Sequence, residues 1–155
     1  MPLLRAALSW NFVLATAICA SLLAQLIKVL LNLFIFHRFI AERMWGAGGM
    51  PSSHSATVCA MVVATGRYCG VNSPIFAIAA VLSIIVMYDA MGVRYETGEQ
   101  AKVLNRMFTK WMHQGFEQFQ LPHGKKLKEM VGHTPIEVVT GAALGIVLGF
   151  AMPMV

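Results

Sequence analysis

Four apolar runs separated by short polar segments constrain this chain more than any other feature. They cover residues 12–36, 55–65, 74–88 and 136–155. About 20 apolar residues in a helix span the hydrocarbon of a bilayer. Only 12% of the chain is charged, against about 25% in an ordinary soluble domain. With 155 residues and a mean hydropathy of +0.66, the chain has too small an interior to hide its apolar surface from water. It is also too apolar to remain disordered. Lipid is therefore the expected solvent. The expected fold class is all-α: an integral membrane bundle of about four transmembrane helices plus an interfacial amphipathic helix, in one domain over residues 1–155.

The first run follows Arg5, as in a signal peptide, but it exceeds the 7–15-residue core of such a peptide and no A-x-A site closes it. The second run is short, so its helix is expected to begin at about Ser52 or Ser53. The third opens on Ser73-Pro74 and the fourth on Thr134-Pro135, both good helix starts. Gly141, Gly145 and Gly149 recur every four residues and make a smooth stripe for close helix packing in lipid. Packing within the chain is the preferred reading of that stripe, and a homo-oligomer seam is the other.

The long polar segment, residues 92–133, carries Val103, Met107 and Trp111 at helical spacing. An interfacial amphipathic helix of about 20 residues is expected there, ended by Pro122 and Gly124. Lys125, Lys126 and Lys128 follow as a solvated basic patch. Four spans put residues 37–53 and 92–133 on one side, and nine of the twelve Lys and Arg fall in those two loops. The positive-inside rule places that face, which carries the site, in the cytoplasm of a multi-pass protein. The net charge of +5 lies between apolar runs, not on a face with interleaved aromatics. The expected partner is thus the bilayer and not nucleic acid. Cys19, Cys59 and Cys69 form neither a disulfide framework nor a CxxC pair, and no HExxH occurs. No metal and no cofactor are expected.

The reactive residues collect on the same loops. Gly48-Gly49-Met50-Pro51-Ser52-Ser53-His54 opens directly onto an apolar helix, and a helix N-terminus favours an anion. Ser52 and Ser53 either donate to phosphate oxygens or simply cap the helix. His133 and Glu137 are four apart, on one helical face. A carboxylate fixes a histidine's tautomer and makes its second nitrogen more basic; burial of a paired His is the alternative. Asp89 and Arg94 flank Gly92, either as phosphate-facing groups or as an ion pair with each other. Lys28 lies inside the first run, free to snorkel, to pair with Glu137 or Asp89, or to reach a bound phosphate. Two histidines, a carboxylate and several cations are the parts needed to split a phosphoester without metal. One His attacks and the other protonates the departing oxygen, while cations and N–H groups hold the charge.

Pro51-Ser52-Ser53-His54 resembles the PSGH motif of the type 2 phosphatidic acid phosphatase and vanadium haloperoxidase superfamily. The order GGMPSSHSA, then DAMGVR with GEQA and LN, then GHTPIEV is similar to its small divergent branch over about residues 22–150. The resemblance implies His133 as the nucleophile, Glu137 as its orienting acid, His54 as the general acid, and Ser52 and Ser53 as phosphate holders. The superfamily's Lys-x6-Arg-Pro pattern fails from Lys28, with Arg38 the nearest substitute. Its Ser-Arg before the last histidine is replaced by Lys126-Leu127, and Arg94 is the available arginine from the preceding segment. The implied activity is a metal-independent membrane phosphatase for a phospholipid or isoprenoid phosphate, working through a phosphohistidine. The alternative is a non-catalytic membrane protein that binds anionic lipid or phosphate.

Overall fold

The computed structural model describes residues 11–36, 49–113, 126–129 and 131–154. Arg38, Lys125, Pro122 and Gly124 lie outside them. Among the described residues five helices follow in order: α1 (Phe12–Phe36), α2 (Ser53–Cys69), α3 (Pro74–Met91), α4 (Val93–His113) and α5 (Pro135–Ala151). Among the described residues there is no strand. The protein is an all-helical membrane bundle.

At 1.5 Å per residue, the 25 residues of α1 extend about 38 Å, more than the roughly 30 Å of bilayer hydrocarbon. The side chain of Asn11 accepts from Leu14 N at 2.9 Å and caps the helix start. Phe12, Thr16, Ala17, Ala20, Ala24 and Lys28 are buried along one face. Leu14, Ile18, Leu22, Leu26 and Leu33 stand outward. Outward leucines would be a liability in water and are the natural surface in lipid, where apolar contact costs nothing. α3 repeats the pattern, burying only Ala79, Ser83 and Ala90.

α2 sits at the centre, packed against α1, α3 and α5. Enclosure by the other helices explains why its apolar run is short: it has little lipid to face. Ala20, Ala24, Ala56 and Ala60 form the α1–α2 core. On the other side, a Cβ at Gly141 would collide with the Ser52 carbonyl, one at Gly145 with the Ala56 carbonyl, and one at Gly149 would lie 2.7 Å from Val63 Cβ. The stripe is therefore filled by the chain's own α2. This is the within-chain packing preferred above, with the two backbones in contact along the stripe.

At the end remote from the histidines, Arg67 ties the bundle. Its Nη1 lies 2.6, 3.2 and 2.7 Å from the carbonyls of Gly149, Phe150 and Met152. Its guanidinium sits 5.6 Å from the Phe12 ring centre. A cation at a helix C-terminus satisfies carbonyls that lack helical partners.

α4 begins immediately after Gly92, earlier than the spacing around Val103 indicated. It runs 21 residues and exposes Val103, Leu104 and Met107.

Candidate active site

The site is built where α5 starts. Glu137, in the first turn, uses one oxygen twice. Oε2 accepts from Thr134 N at 3.0 Å and lies 3.1 Å from His133 Nδ1. His133 N donates to the Ala90 carbonyl at 3.0 Å, which ties the residue to α3. The imidazole is 2% exposed. With Nδ1–H committed to a carboxylate, the tautomer leaves a lone pair on Nε2. That Nε2 is buried and has no hydrogen-bond partner among the described residues. Burial holds the His133 pKa below its ordinary 6.5. Glu137 opposes the shift, and Lys28 and Arg94 add to it. The neutral, nucleophilic form is favoured at neutral pH.

His54 enters from the second residue of α2. Its ring centre lies 6.1 Å from that of His133, inclined at 65°. Two imidazoles at that spacing reach a common phosphoryl group. The two helix starts are joined directly, because Ser52 N donates to the Glu137 carbonyl at 2.9 Å. The Ser52 hydroxyl is fully buried and accepts from Ser55 N at 3.3 Å, so it caps α2. Ser53 Oγ accepts from Gln25 Nε2 at 3.3 Å. Of the two readings of these hydroxyls, capping is the one realised for Ser52.

Lys28 is 2% exposed, which removes snorkelling. Its stem lies along Gly49, whose φ of +87° suits glycine and whose missing Cβ would sit 3.4 Å from Lys28 Cδ. Among the described residues no carboxylate comes within 4 Å of its ammonium, although the Glu137 charge bears on it. Asp89 is engaged elsewhere, with its Oδ2 2.5 Å from Arg94 Nε. The Asp89–Arg94 ion pair considered from sequence is thus present, with side chains 37% and 50% exposed.

These groups surround one cleft of about 40 Å³, lined by His54, Val86, Asp89, Ala90, Arg94, Val131 and His133. That is room for about three waters, or a single phosphate headgroup. The cleft brings His54, His133, Asp89 and Arg94 together, and Glu137 holds His133 from outside it; Lys28, Ser52 and Ser53 are not part of its lining. Arg38 falls outside the described residues. No group of three His, Cys, Asp or Glu among the described residues is arranged to hold a metal.

Sequence reasoning quoted Gly98, Asn105 and Gly132 only as parts of the family-like motifs and gave them no role. Asn105 is buried in an amphipathic helix, and Gly98 lies inside that helix. A glycine inside a helical pattern signals close backbone approach, and that signal was available.

The model of the divergent PAP2 family matches residues 9–148. The uncharacterized membrane protein YuiD of Bacillus subtilis (strain 168) is 38% identical over 144 residues, covering 89% of this chain and 91% of its own. No solved structure matches the chain.

Proposed function

Since the chain belongs to the divergent PAP2 family, we propose that it is a membrane phosphatase that hydrolyses a lipid phosphate or isoprenoid diphosphate through a phosphohistidine, without metal. One observation carries this reading: a buried imidazole of the cleft wall, oriented by a carboxylate, whose remaining nitrogen has no partner among the described residues.

The chemistry runs in two displacements. His133 Nε2 attacks phosphorus, the P–O bond to the lipid breaks, and protonated His54 gives its proton to the departing oxygen. Glu137 supports the positive charge that grows on the His133 ring. Neutral His54 then takes a proton from water, the hydroxide attacks phosphorus, and the P–N bond breaks to release inorganic phosphate. Arg94 and Lys28 balance the phosphoryl charge. The lipid tail lies among the outward apolar side chains of α3 and α5. The loop face that carries the cleft is the cytoplasmic face, on the excess of Lys and Arg in residues 37–53 and 92–133.

Arg94 already holds Asp89, and this favours a second reading in which the cleft binds an anionic headgroup without turnover. The purified protein, assayed with phosphatidic acid, phosphatidylglycerophosphate and undecaprenyl diphosphate in EDTA, separates the two. Phosphatase activity predicts inorganic phosphate release that His133→Ala abolishes. Binding without release, unaffected by His133→Ala and weakened by Arg94→Ala, supports the second reading.

A further inference from the structure

Residues 126–129, 131 and 132, ahead of His133, form no regular element of their own, yet they are held against α4. Leu127 N donates to Asn105 Oδ1 at 2.9 Å, and Asn105 Nδ2 donates to the Leu127 carbonyl at 2.9 Å. The same Nδ2 reaches Glu129 Oε1 at 2.8 Å. One side-chain amide thus closes both backbone groups of Leu127, as a neighbouring strand would. A Cβ at Gly98 would lie 2.5 Å from the Glu129 carbonyl, and one at Gly132 would collide with Tyr95 N. His133 N then bonds the Ala90 carbonyl.

Taken in order, 127 meets 105, 129 meets 98, 132 meets 95 and 133 meets 90. The segment is a strap running antiparallel along α4, and its end delivers the imidazole to the cleft. Asn105 is 5% exposed. Burying a polar amide is costly unless it is bonded, and here its oxygen and its NH2 are both used by the strap. From Arg94, on the cleft wall, Asn105 is eleven residues along the same helix, about 16 Å away. It touches nothing that reacts.

We propose that Asn105 is a positioning residue for His133: it sets the register of the strap on α4, and through it the place of the imidazole in the cleft. The alternatives at the position are poor. Asp lacks the donor and meets the Glu129 carboxylate. Leu fits the volume and pairs with nothing.

The full chain in lipid nanodiscs tests this with Asn105→Leu, Asn105→Asp and Glu129→Ala. Two readouts are taken on each variant. The first is the rate at which diethyl pyrocarbonate modifies His133 relative to His54, read by peptide mass spectrometry. This arm needs no enzymatic activity. Freeing the strap of its Asn105 bonds is expected to raise His133 modification about tenfold in Asn105→Leu and to leave His54 within about twofold. Asn105→Asp keeps the Leu127 N acceptor and is expected to fall between; it also serves if Asn105→Leu does not fold. Glu129→Ala leaves both Leu127 bonds and is expected to resemble the parent.

The second readout rests on the phosphatase reading. A nucleophile displaced by about 1 Å costs about 100-fold in kcat, with KM nearly unchanged because Arg94 and Lys28 stay in place. Unchanged His133 modification in both Asn105 variants overturns the proposal. So does equal acceleration of both histidines, which marks general loosening. A parent protein with no turnover but the expected modification pattern overturns the phosphatase reading and leaves the positioning role standing.

Discussion

Replacing Glu137 by Gln removes one charge and almost no volume. One oxygen of Glu137 serves His133 Nδ1 at 3.1 Å and Thr134 N at 3.0 Å. A neutral amide oxygen still accepts from one of them. It no longer stabilises the imidazolium-like charge that appears on His133 as the P–N bond forms. Hydrogen bonds to charged groups contribute about 1.5–3 kcal/mol, so kcat is expected to fall about 10- to 150-fold. The pH profile gives a sharper test. His133 must be neutral to attack, so activity falls on the acid side as it protonates. Burial already holds its pKa below 6.5, and Glu137 is the group that pulls it back up. Glu137→Gln is therefore expected to move the acid limb to lower pH while the plateau drops. The assay is phosphate release from phosphatidic acid micelles across pH 4.5–8 (about one reading per half unit), with circular dichroism as the check on folding. An acid limb that stays put or moves up refutes the assigned roles.

The same depressed pKa has a consequence for stability. Unfolded chains protonate histidine near 6.5, and the folded chain resists it. Folding stability should therefore be intact above about pH 6.5 and decline as pH falls below that value; His133→Gln should flatten the decline in a detergent melting series. Arg67→Met strips its partner from the carbonyls of Gly149, Phe150 and Met152. It is expected to cost about 1–3 kcal/mol in chemical denaturation and to leave the acid limb unmoved, since it lies at the far end of the bundle. Gly141→Ala forces a methyl group against the Ser52 carbonyl, with an expected loss of about 1–3 kcal/mol and lower activity, because the Ser52–Glu137 bond between the two motifs must stretch.

The sequence and the fold agree where local rules decide. α1 coincides with the run 12–36 because nothing in that run breaks a helix. α2 starts at Ser53 because Ser52 caps it, as the serine pair indicated. His133 and Glu137 meet because a spacing of four at a helix start puts them on one face. What stayed hidden is relational. Asn105 and Leu127 are 22 residues apart, and no periodicity announces that a side-chain amide will pair with a distant backbone. The stripe of Gly141, Gly145 and Gly149 told of close packing but not of the partner, which is α2. Lys28 had three plausible fates by composition alone, and only its burial among the packed helices removes one of them, snorkelling.

The proposed reaction requires a covalent bond between phosphorus and His133, and that bond can be sought directly. His54→Ala removes both the acid of the first displacement and the base of the second, so the phosphoenzyme should accumulate when this variant meets p-nitrophenyl phosphate, whose leaving group needs no proton. Mass spectrometry of the alkaline digest is expected to find a phosphoryl group on His133, stable to alkali and lost in acid. A digest in which His133 stays unmodified while parent protein still releases phosphate, or in which the group sits on another residue, contradicts it.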